Sequence, residues 1–473
     1  MDEEPLDPRL PKYLSCMQCG SCASSCPAVY AYHQGLLGEE FNPMKLVGLM
    51  RLHSSPDGFP VDKCFHCYTC KWTCRAGNSV SDLVKVLRER KRGVCQGSLY
   101  RSLYEKGLCL TPESFRSGGW EDWRGFDRVL EEMPRVRREL GLEGLYRKIP
   151  EEALQQVQRL LEVSPSLKLN GKRYEGECKR PNPPGGIYLF KSCVMDSHYP
   201  GVTLSLKYLL ERLNVSYLDD ERQSSCGGFG YYADEVSFPA LLVLNARNFA
   251  LAEEGGFGKV ATVCVTSYGI LTECWELLGG KLGGEVNELL KGMGMRYRGK
   301  VGVYHLSEIL HAFRGKLRSL VSHGLSGLRV AVHHGCHYTK MFREYATPNL
   351  LEELVAVTGA EVVDYEEKNL CCGMGFRHTL ENRELVRSVA LRKLRALKNS
   401  GARIVVHACP GCQMTLDRNQ KYLEERTGEE FGMVHMNYGQ LLALSLGADP
   451  WRVVGIQTHS VSPQPLLEEL RLA

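Results

Sequence analysis

Short apolar runs and longer stretches of helical spacing alternate along the chain. From about residue 186 the runs are brief and rich in β-branched residues: "GGIYLF" at 185–190, "KVATVCV" at 259–265, "LRVAV" at 328–332 and "RIVVHA" at 403–408. Between them "LSLKYLLERL", "LLEELVAV" and "LVRSVALRKLRAL" place apolar residues on one face of a 3.6-residue period. Strands alternating with amphipathic helices predict α/β units built on parallel sheets. Before residue 186 the signals are helical. "NPMKLVGLMRL" suits a helix entered through Asn-Pro, and "SVSDLVKVLRERKRG" one capped by Ser or Asp and closed by Gly93. "EEALQQVQRLLEV" reads as a further helix, and "KRPNPPGG" as a linker by composition.

The third segment repeats itself. Cys193, Cys226 and Cys264 match Cys336, Cys372 and Cys409 at offsets of 143, 146 and 145 residues, within "GGIYLFKSC" and "LRVAVHHGC", "SSCGG" and "LCCGM", "VATVCVTS" and "IVVHACPGC". Regular offsets predict an internal duplication. The boundaries expected are 1–98, 99–185 as a helical bridge and linker, 186–325 as a first repeat, and 326–473 as a second repeat with the tail. Each repeat puts cysteines just past a strand, where ligands sit in open parallel sheets.

Composition narrows the chemistry. The 473 residues are 43% apolar, enough for several cores, and the net charge of +4 is interspersed, too mild to argue for nucleic acid. No apolar run approaches the ~18 residues of a membrane span. The acidic start "MDEEPLDPRLP" shows no signal peptide, so the expectation is a chain of the reducing cytoplasm. There, 20 cysteines read as metal ligands or redox centres before disulfides.

Eight cysteines fall in two runs of the form C-x2-C-x2-C-x3-C: Cys16, Cys19, Cys22 and Cys26, then Cys64, Cys67, Cys70 and Cys74. This is the two-cluster ferredoxin run, in which the fourth cysteine serves the other cluster. It assigns Cys16, Cys19, Cys22 and Cys74 to one [4Fe-4S] site, and Cys64, Cys67, Cys70 and Cys26 to the other. Pro27 follows the first run as expected, whereas "CRAG" replaces Cys-Pro in the second. Two zinc ions could also use eight thiols, but this spacing matches paired zinc knuckles poorly.

The second repeat offers Cys336, Cys371, Cys372, Cys409 and Cys412 from three loops. Neighbouring Cα atoms lie about 3.8 Å apart, too close for an unstrained disulfide between Cys371 and Cys372. Zinc takes four ligands, so five thiols point instead to one polynuclear iron–sulfur centre. Gly373, Gly375 and Gly411 are expected where backbone approaches that centre, and Pro410 would stiffen the last loop. The first repeat has Ser225 and Ser267 where the second has Cys371 and Cys412. It reads as empty or degenerate, with Cys193, Cys226 and Cys264 as further metal-ligand candidates and His198 and Tyr199 as nearby helpers. Cys274, beside Trp275, is expected in a core, and Cys95, Cys109 and Cys178 as plain thiols.

With these residues in view the chain resembles heterodisulfide reductase. "CMQCGSCASSCP", "NPMKLVGLM" and "CFHCYTCKWTC" are similar to its small ferredoxin-type component, the C subunit. "YLFKSCVMDSHYPGV", "NARNFALAEE", "VHHGCHYTK", "CCGMG", "HACPGCQMTLD" and the tail "THSVSPQPLLEEL" are similar to its B subunit. The fusion is similar to the D subunit of the membrane-linked enzyme and to the K subunit of the dissimilatory sulfite reductase membrane complex. The resemblance implies a multidomain chain: an N-terminal α-helical two-[4Fe-4S] ferredoxin-like domain, then two α/β CCG domains related by duplication. It implies two cubane clusters and one noncubane [4Fe-4S] cluster held by Cys336, Cys371, Cys372, Cys409 and Cys412, which cleaves a disulfide, with no flavin in this chain. Electrons would come from a flavin-containing protein like the family's A subunit or from a cytochrome b-type subunit, through which a cytoplasmic chain could associate with a membrane.

Two functions follow. In the first, a disulfide-type bond is reduced at the second-repeat site, with His333, His334, His337 or His407 as proton donors unless these are structural histidines. In the second, the chain only relays electrons between a flavin subunit and another partner. A role like that of the K subunit, on a persulfide or trisulfide sulfur carrier, is a variant of the first. A zinc-stabilised scaffold is a third class, disfavoured by the ferredoxin spacing.

Overall fold

The computed structural model describes residues 15–52, 56, 58–91, 96–112, 124–167, 169, 180–280 and 282–472. The acidic start, Gly93, Cys95 and Cys178 lie outside the described residues. The N-terminal segment is helical among its described residues. Helix α1 spans Pro43–Arg51, with Asn42 accepting from the Met44 and Lys45 amides and proline fixing the first helical φ. Helix α2 spans Val80–Lys91, and its cap is Ser79, whose hydroxyl accepts from the Asp82 amide. In the next segment α3 (Ser98–Lys106) and α5 (Glu151–Val163) pack onto the first repeat, while α4 (Arg124–Glu139) packs on the second-repeat helix Pro410–Thr427 and also reaches the first. They do so through buried polar contacts as well as apolar ones: Arg137 reaches the Asp196 carbonyl and Arg247 reaches Gln156.

The first repeat holds β1 (Ile187–Phe190), β2 (Tyr217–Leu218), β3 (Lys259–Thr262) and β4 (Gly302–His305). Helix α6 (Phe238–Glu254) precedes β3 and α7 (Val265–Leu278) follows it. The second repeats the plan with β5 (Arg329–His333), β6 (Glu361–Val363), α8 (Arg383–Asn399), β7 (Ile404–His407), α9 (Pro410–Thr427) and β8 (Val434–Asn437). Both sheets are parallel, with orders β2-β1-β3-β4 and β6-β5-β7-β8. The duplication is thus a shared topology. β1, β4, β7 and β8 are buried along their length, and for β1 and β7 this explains the apolar runs at 185–190 and 403–408. Strand order reverses between β1 and β3, and between β5 and β7, so the loops after these strands diverge and open a crevice. Cys193, Cys264, Cys336 and Cys409 stand in those four loops.

The repeats pack against each other through the Tyr199 hydroxyl, which donates to Asp417 Oδ2 at 2.7 Å, and the Tyr345 hydroxyl, which donates to Glu276 at 2.9 Å. The N-terminal segment docks on the second repeat. Lys71 reaches the Met341 carbonyl at 2.6 Å, His337 the His66 carbonyl at 2.8 Å, and His378 the Lys63 carbonyl at 3.1 Å. Among the described residues no helix is long and apolar enough to cross a membrane.

Candidate metal centre

The two N-terminal cysteine runs share an unusual backbone. Gln18 and His66, each just before the second cysteine of its run, have φ of 54° and 48°. Gly20 and Tyr68, each just after it, have φ of 80° and 54°. Left-handed backbone at bulky residues costs on the order of 1–3 kcal/mol and persists where surroundings over-determine it. It curls each run so that amides face sulfur: the His66 amide donates to Cys64 Sγ at 3.4 Å. The runs then interleave. Cys22 lies within electrostatic reach of Cys70, Cys16 and Cys74, and Cys26 within reach of Cys67 and Cys64. Burial pushes Cys22 and Cys64 up to about 12, so without a cation these thiols hold their protons.

The second-repeat cysteines converge from the loops after β5, β6 and β7. Their sulfurs form a chain of hydrogen bonds: Cys371 donates to Cys372, Cys412 donates to Cys372, and Cys412 also faces Cys409. Cys336 lies near Cys371. Neighbouring thiols draw Cys372 and Cys409 well below the usual thiol range, and hydrogen bonding to Cys372 holds Cys371 up at about 12. Cys372, Cys412 and His333 place ligand atoms within 4.8 Å of one another.

The chain of sulfurs extends beyond the repeat at both ends. Cys67 of the N-terminal segment donates to Cys371, and Cys264 of the first repeat donates to Cys409. Cys264 thus links the second repeat's site to the first, since it bonds to Cys409 and also lies within electrostatic reach of Cys226. In the first repeat the Ser267 hydroxyl lies 3.2 Å from Cys226 Sγ, and the Ser225 hydroxyl bonds to Cys193. Cys109, expected to be a plain thiol, is fully buried within electrostatic reach of Cys193 and Cys226 and accepts from the Gly230 amide. His198 and Tyr199 turn away to Arg418 and Asp417 instead of helping at this site. Cys274 is core, as expected.

The glycines also have a packing role, beside the Gly373 amide that donates to Cys371 Sγ at 3.4 Å. A Cβ on Gly373, where φ is 99°, would stand 2.8 Å from the Val386 carbonyl of α8. One on Gly375 would meet the Phe65 ring at 2.9 Å, and one on Gly411 the Met374 sulfur at 2.8 Å. These glycines let the cysteine loops pack on α8, on the N-terminal segment and on each other.

Of the four histidines beside the cysteines, His333 alone is in the group with Cys372 and Cys412; its Nδ1 lies 3.3 Å from the Tyr365 hydroxyl. His334 pairs with Glu352 at 2.8 Å, and His407 with His435 at 3.0 Å. His337 donates to the His66 carbonyl and stacks on Phe376; burial pushes it down to about 4. Two lysines escaped sequence reasoning because nothing local marks them. Lys340 and Lys393 are buried beside the cysteine loops, where Lys340 donates to the Thr69 hydroxyl and the Asn369 carbonyl, and Lys393 to the Glu367 carbonyl. Burial lowers Lys393 to about 7.

The cysteine-rich domain family matches twice, over residues 187–271 and 330–417, the two sheet-bearing repeats. The B subunit of the ferredoxin:CoB-CoM heterodisulfide reductase of Methanosarcina acetivorans is 34% identical over 299 residues, 60% of this chain and 95% of that protein. The 8-methylmenaquinol:fumarate reductase membrane anchor subunit of Wolinella succinogenes is 30% identical over 279 residues, 58% of this chain and 95% of that protein. The glycolate oxidase iron-sulfur subunit of Escherichia coli is 21% identical over 427 residues, covering 85% of this chain and 89% of that one. With both repeats and the sulfur-lined crevice in place, the chain belongs to the family of the heterodisulfide reductase B subunit.

Proposed function

We propose that this chain is the iron–sulfur subunit of a heterodisulfide reductase-like complex that reduces a disulfide-type bond at the second-repeat cysteines. The donor set fits iron–sulfur chemistry: two ferredoxin-spaced runs on matching strained loops, and five further thiols converging from three loops. Cys16, Cys19, Cys22 and Cys74 would hold one cubane [4Fe-4S], and Cys64, Cys67, Cys70 and Cys26 the other. Cys336, Cys371, Cys372, Cys409 and Cys412 would hold the noncubane cluster. Bound there, the clusters supply one-electron transfer and an iron site for sulfur.

The observation that carries this reading is the contact between Cys67 and Cys371, which joins the second cysteine run to the CCG loop without an intervening residue. Reduction of a disulfide takes two electrons and two protons and releases two thiols. Tyr365 positions His333 beside Cys372 and Cys412, making this pair the chain's own route for a proton toward sulfur. Electrons would come from a flavin-containing or cytochrome b-type partner. The first-repeat serines favour a second reading, an electron relay without its own substrate, since the hydroxyls already satisfy Cys193 and Cys226. A sulfur-carrier persulfide or trisulfide is the alternative substrate.

The test is anaerobic purification with counts of iron, sulfide and zinc in wild type and Cys372→Ser. About 12 irons without zinc, falling by about 4 in the variant, supports the three-cluster reading. About 8 irons with one zinc ends it. Reduced protein that is reoxidised by disulfides over many turnovers supports the reductase; exchange with a flavoprotein alone supports the relay.

A further inference from the structure

Lys340 is 3% exposed, and every partner it has is neutral. Its ammonium donates to Thr69 Oγ1 at 2.8 Å and to the Asn369 carbonyl, and stands 5.8 Å from the centre of the Trp72 ring. Among the described residues no carboxylate pairs with it. Burying an ammonium without a counter-charge is unfavourable. A second buried cation, Lys393, lies close enough for the two charges to repel. Groups able to carry negative charge within its field are Cys67 and Cys336, one from each side of the junction. Its two hydrogen bonds span the same junction, since Thr69 lies between Cys67 and Cys70 and Asn369 lies two residues before Cys371.

The first repeat provides an internal control. Four residues after Cys336 the second repeat has Lys340; four residues after Cys193 the first has Ser197, which only bonds back to the Cys193 carbonyl at 2.7 Å. The counterpart of Lys393 is Arg247, which reaches the Arg222 carbonyl just as Lys393 reaches those of Glu367 and Lys368. A cation on the helix after the CCG loop is therefore common to both repeats and serves the loop backbone. The cation at Lys340 occurs only where the cysteine set is complete.

We infer that Lys340 is a positioning residue whose fixed positive charge, held between the Cys64–Cys70 site and the CCG site, raises the reduction potential of the iron–sulfur centre at the CCG cysteines. Inside the protein, where screening is weaker than in bulk water, the charge favours the more negative, reduced state of an adjacent centre. The inference rests on the reading that both sites hold clusters.

The experiment is a redox titration of the anaerobic full chain followed by electron paramagnetic resonance, with iron counted in the same samples. Lys340→Met is expected to keep wild-type iron and to move the CCG centre's midpoint to lower potential, with a smaller downward move at the Cys64–Cys70 site. Lys340→Arg keeps the wild-type midpoint, and so does Lys368→Met, which removes a cation at the rim. Unchanged midpoints in a fully loaded Lys340→Met overturn the inference. If the methionine variant sheds iron, Lys340→Gln is measured: full iron with a lowered midpoint supports the charge. Retention of iron by Lys340→Arg alone supports it equally, whereas loss in all three variants overturns it in favour of a packing role. Wild type without iron overturns the cluster reading itself, before any variant is compared.

Discussion

The two repeats have the same sheet order and the same places for cysteine, yet they build opposite interiors. In the second, thiols from three loops face one another and link outward to Cys67 and Cys264. In the first, Ser225 and Ser267 satisfy Cys193 and Cys226 locally, Cys264 is engaged by Cys409 of the other repeat, and the 107–111 stretch closes in, with the Gly107 carbonyl accepting from the Ser225 amide at 2.8 Å. The difference teaches that the fold provides a crevice at the switch point, while the side chains there decide whether it opens to a ligand or packs as core.

Exchanging the serines and cysteines breaks the comparison most strongly. The double variant Cys371→Ser/Cys412→Ser is expected to lose about 4 irons per chain and the signal of the CCG centre. The reverse double variant, Ser225→Cys/Ser267→Cys, is expected to gain none, because Cys109, Val236 and Ile270 already crowd the glycines there and Cys264 is already engaged by Cys409. Iron and sulfide counts decide it. A gain of about 4 irons would show that the two hydroxyls alone separate the repeats.

Backbone strain gives the next effect. Gly373→Ala places a Cβ against the Val386 carbonyl at a left-handed position, and helix backbone cannot yield. A loss of about 2–3 kcal/mol in anaerobic unfolding is expected. At the matching Gly227, with φ of 71°, the Cβ meets only the tip of Leu241, which can rotate, so about 1 kcal/mol is expected. Equal losses would mean that the second repeat's loop is no more constrained than the first's.

Much of this organisation was legible in the chain. The buried parallel strands read as apolar runs, and the offsets among Cys193, Cys226, Cys264 and their partners marked the duplication. Asn42 and Ser79 announced their helices through cap chemistry. What stayed hidden was contact between distant segments. Nothing near Cys67 signals Cys371, and nothing near Cys264 signals Cys409, because docking of whole modules makes those pairs. Lys340 looks like one more polar residue in "CHYTK" until the fold buries it. That Gly373 and Gly375 also pack on α8 and Phe65 was hidden, because neither neighbour is visible from the sequence.

A pH-dependent effect sharpens the comparison at the seam, where the first repeat's Glu276 accepts from the second repeat's Tyr345. Burial raises its carboxyl to about 7, outweighing the tyrosine hydrogen bond that lowers it. A carboxyl whose folded value lies above its unfolded value binds its proton more tightly in the native state. Its contribution to stability is therefore full below about pH 4.5 and is lost as pH rises through about 7. Glu276→Gln keeps an acceptor for Tyr345 and removes the titration. The variant should gain on the order of 2 kcal/mol at pH 8 relative to wild type, and nothing at about pH 4.5. Thermal unfolding of both proteins across that range tests it. If Glu276→Gln stays flat, the seam between the repeats is wet enough to keep that carboxyl ordinary, and the two halves meet less tightly there than at Tyr199 and Asp417.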